Sequence, residues 1–263
     1  MGTAKKIWIL SGEASGDVYG AKLARELRLI AAERGETIEI VGMGGPEMRK
    51  ADIDIRVDST ELGVVGVIEV LKHIFTFIGI FFRLVGQAKR ERPGAVVLID
   101  YPGFNLLFAL MMYRHRIPVI WYVCPHLWVW GKWRLPVLAK ICTKMLVIFP
   151  FETEVFAHTK LRTEFVGHPL IDIVADRHIP GVERNPEDFL LLPGSRTMEI
   201  NFLLYPMLDT VTELAKRHPE LKFHLSAPRE KIARLCREKF AAYRRKHPGV
   251  PEVEITWGDT SFG

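Results

Sequence analysis

Cysteine is scarce in this chain: 263 residues hold three, Cys124, Cys142 and Cys236. None falls in a Cys-x-x-Cys pair or in the Cys/His spacing of a zinc site. That excludes a disulfide framework and a structural metal, and fits a reducing compartment. The Gly-x-Gly-x-x-Gly loop of dinucleotide binders is missing. Asp52-Ile-Asp54 matches an Asp-x-Asp metal motif only formally, between an Ala-containing helix end and Arg56, and reads as a surface turn. No apolar run reaches the ~20 residues that cross a bilayer. Repeats and low-complexity tracts are absent, and Met1-Gly-Thr-Ala-Lys-Lys enters a short strand without the profile of a secretory leader. A cytoplasmic protein with no metal and no resident cofactor is expected.

What is present begins with Ser11-Gly-Glu-Ala-Ser-Gly-Asp17, directly after the apolar run Ile7-Trp-Ile-Leu10. A short buried strand, a Gly/Ser-rich turn and a helix over Val18 to Leu29 follow one another. Such a junction aims free backbone N–H groups at one point. Glu13 and Asp17 would repel a pyrophosphate but accept hydrogen bonds from sugar hydroxyls. An ordinary βα turn with Ser15 or Asp17 as helix N-cap is the plainer alternative.

Hydrophobic residues make up 48% of the chain, enough for a sizeable core, and the length allows two domains. Ile38–Val41, Ala95–Ile99, Val119–Val123, Met145–Ile148 and Glu164–Val166 read as strands, with helical segments such as Asn105–His115 and Leu135–Cys142 between them. Continuous Val/Ile-rich runs without strict alternation indicate parallel strands covered on both faces. The polar, proline-containing stretch Asp176–Glu187 reads as a linker. A second βα series follows: strands Phe189–Leu192, Lys222–Leu225 and Val253–Thr256, with helices Met198–Arg217 and Arg229–Arg245. The expected organisation is a domain over 1–175, a linker over 176–187 and a partial domain over 188–263, with a cleft between the domains. Three strands leave a sheet edge exposed, so the second domain is expected to be incomplete: either the chain is a piece of a longer one or a partner supplies the rest.

The net charge of +5 is carried in clusters, Lys72-His73, Lys89-Arg90-Glu-Arg92, Arg114-His-Arg116 and Lys132-Trp-Arg134. They suit a solvated surface, an anionic membrane or a phosphorylated substrate. On a helix from Val64 to Val85, one stripe holds Phe75, Ile78, Phe82 and Val85, and a second holds Phe77, Phe81 and Leu84. This arc is wider than a single core contact requires, so one stripe packs on a sheet while the other covers a pocket, a partner or lipid. Trp128-Val-Trp-Gly-Lys-Trp-Arg134 has the composition of an interfacial anchor, or of an aromatic core loop.

Seven motifs in order carry a family resemblance: Ser11–Asp17, Gly42-Met-Gly-Gly-Pro-Glu-Met48, Glu61-Leu-Gly-Val-Val-Gly66, Ile99-Asp-Tyr-Pro-Gly-Phe-Asn105, Val123-Cys-Pro with Trp128-Val-Trp130, Phe165-Val-Gly-His-Pro169 and Leu191-Leu-Pro-Gly-Ser-Arg196. Together they resemble the lipid-A-disaccharide synthases. The resemblance implies an α/β GT-B-like fold, a pair of Rossmann-like parallel-sheet domains whose second member is here C-terminally truncated. It also implies transfer from UDP-2,3-diacylglucosamine to 2,3-diacylglucosamine 1-phosphate (lipid X), giving the lipid A disaccharide 1-phosphate and UDP. Both substrates are acylated, which leads us to expect peripheral contact with the cytoplasmic face of the inner membrane. A second copy of the chain is a candidate partner, and nucleic acid is not.

Attack of a sugar hydroxyl on an anomeric carbon needs a general base and a stabilised leaving pyrophosphate. Asp100 ends the strand Ala95–Ile99, where ligands meet an open α/β sheet, and the resemblance points to the same residue; an Asp capping the next helix is the alternative. Glu13, Ser15, Asp17 and Asn105 are expected on the substrate, with Asn105 placed to orient Asp100 or the acceptor. His126 and His168 also follow strands but rank below the carboxylates as base. Ser195 and the following amides are placed to cradle the UDP phosphates, with Arg196 pairing bidentately. Two other readings remain open at this stage: a catalytically silent remnant that binds lipid or nucleotide sugar, and a nucleotide-sugar epimerase of similar architecture.

Overall fold

The computed structural model describes residues 5–59, 74–125, 132–176 and 185–258. The motif at 61–66, the first half of the helix expected from Val64, His126, Trp128–Trp130 and most of the expected linker lie outside these residues. Within them the chain divides into two compact units, Met1–Ile173 and Val174–Gly263.

The first unit alternates strands and helices: β1 (Lys5–Ser11), α1 (Ala14–Glu33), β2 (Ile38–Gly44), α2 (Pro46–Lys50), β3 (Asp54–Asp58), α3 (Ile74–Glu91), β4 (Ala95–Ile99), α4 (Pro102–Arg114), β5 (Val119–Tyr122), a 3-10 turn at Lys132–Arg134, α5 (Leu135–Ile141), β6 (Lys144–Val147), α6 (Glu152–Phe156), β7 (Arg162–Phe165) and α7 (Pro169–Asp176). All seven strands are parallel, in the order β3-β2-β1-β4-β5-β6-β7. The order reverses between β1 and β4, the place where open α/β sheets bind ligands.

Alternate residues of each central strand feed two cores. Trp8, Leu10, Val96, Leu98 and Trp121 pack with Leu84 of α3 and Phe108 and Met112 of α4. Ile9, Val97 and Ile99 pack on the other face with Ala24 of α1 and Met48 of α2. Two covered faces are why the strands read as unbroken apolar runs. The strand β3 went unforeseen: Asp-Ile-Arg-Val-Asp buries only Val57 and carries little apolar signal. The helix α1 begins at Ala14 with Glu13 as its N-cap, so neither Ser15 nor Asp17 is the cap.

The second unit holds β8 (Asp188–Leu191), α8 (Thr197–Arg217), β9 (Lys222–Ala227), α9 (Glu230–Lys246) and β10 (Val253–Trp257). Its parallel sheet runs β10-β9-β8 over the described residues. Leu204, Leu208 and Val211 of α8 pack with Phe223 and Leu225 of β9 and with Ala233, Cys236 and Phe240 of α9. Tyr243 donates to Asp209, tying the two helices together.

Candidate functional site

Strands β1 and β4 are paired in register up to Ser11 opposite Ile99. The residues just beyond, Gly12-Glu13 and Asp100-Tyr101, therefore leave the sheet side by side at the switch point. Asp100 and Tyr101 both adopt the left-handed conformation, with φ of 47° and 48°, and Val123 at the end of neighbouring β5 does so at 65°. Left-handed backbone costs a non-glycine residue on the order of 1–3 kcal/mol, most for a β-branched side chain, and persists where the surroundings over-determine it. Here three such residues stand at the ends of two adjacent strands.

The loops interlock. A Cβ on Gly12 would lie 2.2 Å from the Tyr101 ring, so glycine is what lets that ring sit flat on the first turn. Tyr101 stacks on Phe104 with ring centroids 6.0 Å apart. Asn105 is fully buried below the turn; its Nδ2 donates to the carbonyls of Ile99 at 3.3 Å and Asp100 at 2.7 Å. Of the two roles expected of Asn105, orienting Asp100 or the acceptor, these bonds are those of a residue that fixes the chain presenting Asp100.

Asp17 needs a correction. Its carboxylate is 2% exposed and accepts backbone N–H bonds from Gly45 at 2.6 Å, Glu47 at 2.9 Å and Met48 at 3.1 Å. It caps the α2 entry and holds β2–α2 against α1, and is unavailable to a sugar. Glu13 is half-buried, whereas Ser15 is exposed. Ser11 Oγ donates to the Glu13 carbonyl at 3.1 Å, which fixes the turn from beneath.

Two phenols lie near these carboxylates, Tyr19 by Asp100 and Tyr101 by Glu13, and a third, Tyr122, lies beside Tyr19. Burial, then the charge of Asp100, holds the Tyr19 hydroxyl above its ordinary value. Burial and then Glu13 do the same for Tyr101. Burial pushes Tyr122 up to about 12, with smaller contributions from Tyr19 and Asp172. The rings of Tyr19 and Tyr122 lie 6.5 Å apart. All three stay protonated at neutral pH and can donate to sugar oxygens. None was singled out from the sequence, although Tyr101 sits inside a quoted motif; a tyrosine following a strand looks the same whether it packs or binds.

In the second unit, Leu192–Arg196 joins β8 to α8, the strand–turn–helix that the sequence suggested. Gly194 has φ +111°, and a Cβ there would meet Glu199 Oε2 at 2.4 Å. That oxygen accepts from the N–H of Ser195 at 2.7 Å and of Arg196 at 3.1 Å, which lowers the Glu199 carboxyl below its ordinary value. Two amides expected to cradle phosphate are thus held by a carboxylate of the same chain, and a phosphate must compete for them. The Arg196 side chain is exposed, with Nη1 3.8 Å from Glu199 Oε1. Among the described residues no group of three or more His, Cys, Asp or Glu converges in a way that would hold a metal ion.

The fold is shared with solved nucleotide-sugar proteins. The S. aureus MnaA–UDP co-structure superposes with a TM-score of 0.64 at 14% identity, over 98% of this chain and 70% of that one. UDP-GlcNAc 2-epimerase from Neisseria meningitidis, bound to UDP-GlcNAc, gives 0.63 at 13%, over 98% and 73%. At that identity the likeness establishes architecture alone: an α/β, GT-B-like pair of Rossmann-like parallel-sheet units. Sequence similarity is more specific. Lipid-A-disaccharide synthase of Geobacter sulfurreducens is 37% identical over 230 residues, covering 85% of this chain and 59% of the relative. That of Koribacter versatilis is 38% identical over 216 residues, covering 80% and 56%. The chain thus spans less than two thirds of the length of these relatives. The sequence pattern of lipid-A-disaccharide synthetase itself matches residues 7–249. Over nearly its whole length, this chain belongs to the lipid-A-disaccharide synthetase family.

Proposed function

We propose that the chain carries the acceptor side, and part of the donor side, of an inverting glycosyltransferase that joins UDP-2,3-diacylglucosamine to lipid X, releasing UDP and forming the lipid A disaccharide 1-phosphate. The observation that carries this reading is the pair of loops at the switch point, where Glu13 and Asp100 leave adjacent strands beside the phenols of Tyr101 and Tyr19. The Asp100 carboxylate takes the proton of the acceptor hydroxyl as that oxygen bonds to the anomeric carbon. The bond from that carbon to the pyrophosphate oxygen breaks, and its electrons leave with UDP. Glu13 and Ser15 accept from and donate to sugar hydroxyls. Residues 1–175 form the acceptor-binding domain and 188–263 contribute to the nucleotide site. There Arg196 and the Ser195 amide stabilise the departing charge once phosphate displaces Glu199.

Acylated substrates need a greasy surface near this site. Phe75 of α3 is 83% exposed and Phe82 61%, with Ile78 between them, and Trp133 is 70% exposed. No described helix is long and apolar enough to cross a membrane. We assign this surface to peripheral contact with the cytoplasmic face of the inner membrane.

The test is UDP release from the two acylated substrates. Asp100→Asn should leave the donor Kd unchanged while lowering turnover about a hundredfold or more, the scale of a lost general base. Turnover within a few-fold of the parent would transfer the base role to Glu13. The alternative is a silent binder of lipid or nucleotide sugar, for which the observation is that Glu199 occupies the amides expected to hold phosphate. Saturable donor binding with no transfer by the parent chain would establish it.

A further inference from the structure

Two phenols at the switch point carry hydroxyls with nothing to bond. Tyr122 ends β5 and is paired with Ile99, so it stands beside the start of the Asp100 turn, and its carbonyl accepts the Asp100 N–H at 3.3 Å. Val123, the next residue, is left-handed at φ 65°. Tyr19 lies in the second turn of α1, 9% exposed, and its ring is 6.5 Å from that of Tyr122. Both pack with the core that holds Ile9 and Ile99, which Ile173 of α7 also joins. Packing thus fixes the rings, but neither hydroxyl has a hydrogen-bond partner among the described residues, and neither is sealed from solvent. Burial leads in holding both hydroxyls protonated; behind it the charge of Asp100 reaches Tyr19, and Tyr19 and Asp172 reach Tyr122. The pair is therefore a set of neutral donors with a carboxylate near each member.

We infer that Tyr19 and Tyr122 hold the acceptor hydroxyl that does not react, and so decide which hydroxyl Asp100 deprotonates, an inference that rests on the acceptor-site reading above. The substrate chemistry leaves few choices. Glucosamine acylated at positions 2 and 3 and phosphorylated at position 1 keeps two free hydroxyls, on C4 and C6. One of them attacks the donor. The other loses water as the sugar docks and needs new partners in its place. A carboxylate only accepts hydrogen bonds, whereas a phenol both donates and accepts, so the pair can serve the lone pairs of a sugar hydroxyl and its proton. The acceptor phosphate is a poor occupant here, because Asp100 and Asp172 repel an anion. Rings already fixed by packing bring their oxygens to the sugar at little ordering cost. A sugar tethered by its second hydroxyl keeps one orientation, with the first left in reach of Asp100.

The experiment measures by calorimetry how 2,3-dibutyrylglucosamine 1-phosphate and its 4-deoxy and 6-deoxy analogues bind the full chain, Tyr19→Phe, Tyr122→Phe and Asp100→Asn. Each phenylalanine variant should weaken the dihydroxy sugar about fivefold, the scale of one neutral hydrogen bond. It should bind one of the two deoxy analogues as tightly as the parent chain does, because that analogue has no hydroxyl for the phenol to hold. Both phenylalanine variants should single out the same analogue, and Asp100→Asn should single out the other. Since neither phenol hydroxyl is bonded in the free protein, the thermal midpoints of the two variants should match the parent's. Phenylalanine variants that weaken all three sugars alike would show a merely structural role and overturn the inference. Weaker binding of inorganic phosphate by Tyr19→Phe would make the pair an anion site and do the same. Should Asp100→Asn single out an analogue while neither phenol does, the phenol pair is refuted and the acceptor site stands. If Asp100→Asn singles out neither analogue, the acceptor reading falls and the inference falls with it.

Discussion

At Asp17 three backbone N–H groups converge on one buried carboxylate, which makes it a structural residue with a testable cost. Asp17→Ala strands those donors in a site with no solvent, and each carries a penalty of about 1–3 kcal/mol if left unpaired. Allowing for relaxation, we expect a loss of roughly 3 kcal/mol or more, read as a lowered denaturant midpoint at unchanged slope. A midpoint equal to the parent's would return Asp17 to the list of ligand contacts. The thiols give a second prediction at this scale. Burial pushes Cys142 from its ordinary value of 9.0 up to about 12, and holds Cys124 and Cys236 above theirs. Above pH 9 the unfolded chain gives up thiol protons that the folded chain keeps. The folded state then binds more protons, so stability declines as pH rises across the window from 9.0 to about 12. Urea titrations at stepped pH should show that decline, and Cys142→Ala should flatten part of it. An unchanged slope in the variant would mean the decline has another source, Cys124 being the next candidate.

The helix α3 shows how an element divides one apolar surface between two tasks. Leu84 and Val85 are buried, and Phe81 packs edge-on against Phe104 at 5.4 Å and Phe108 at 6.2 Å. Phe75, Ile78 and Phe82 are exposed. The stripe through Phe81 and Leu84 therefore seats the helix on α4 and the sheet, and most of the other stripe faces outward, with Val85 its buried end. Replacing Phe75, Ile78 and Phe82 together by Ser should reduce sedimentation with anionic phospholipid vesicles at least several-fold and leave the cooperative melt in place. Phe81→Ser should do the reverse, destabilising the fold by about 3 kcal/mol or more through a cavity in the aromatic cluster. Undiminished vesicle binding by the triple variant would remove α3 from the membrane surface.

At the scale of the whole molecule, among the described residues the two buried clusters of the first unit lie at or before Ile173 and that of the second begins at Leu191. Leu208→Ala should cost the second unit about 2–5 kcal/mol, the range for a buried leucine truncated in a packed core. Calorimetry should then show one thermal transition moving down while the other stays. A single transition moving as a whole would show that the units unfold as one cooperative body.

Much of the first unit was legible in the chain because parallel strands covered on both faces must be apolar throughout. Ala95–Ile99 was read with the bounds it has in the structure. The Ser11–Asp17 and Leu192–Arg196 turns were read because a strand running into a Gly/Ser-rich segment and then a helical pattern is a local event, decided by neighbours in sequence. Family membership was legible for the same reason, from short motifs in a fixed order. What the sequence could not assign was the partner of each polar side chain. Asp17 and Glu13 stand four residues apart in one motif, yet the first is consumed by amides 28–31 residues away while the second lies at the switch point. Glu199 reaches back to the amides reserved for phosphate, and Asn105 turns inward below Asp100. Hydrogen bonding is short-ranged and directional, so its outcome depends on which groups the folded chain brings within about 3 Å. Only the tertiary structure decides that.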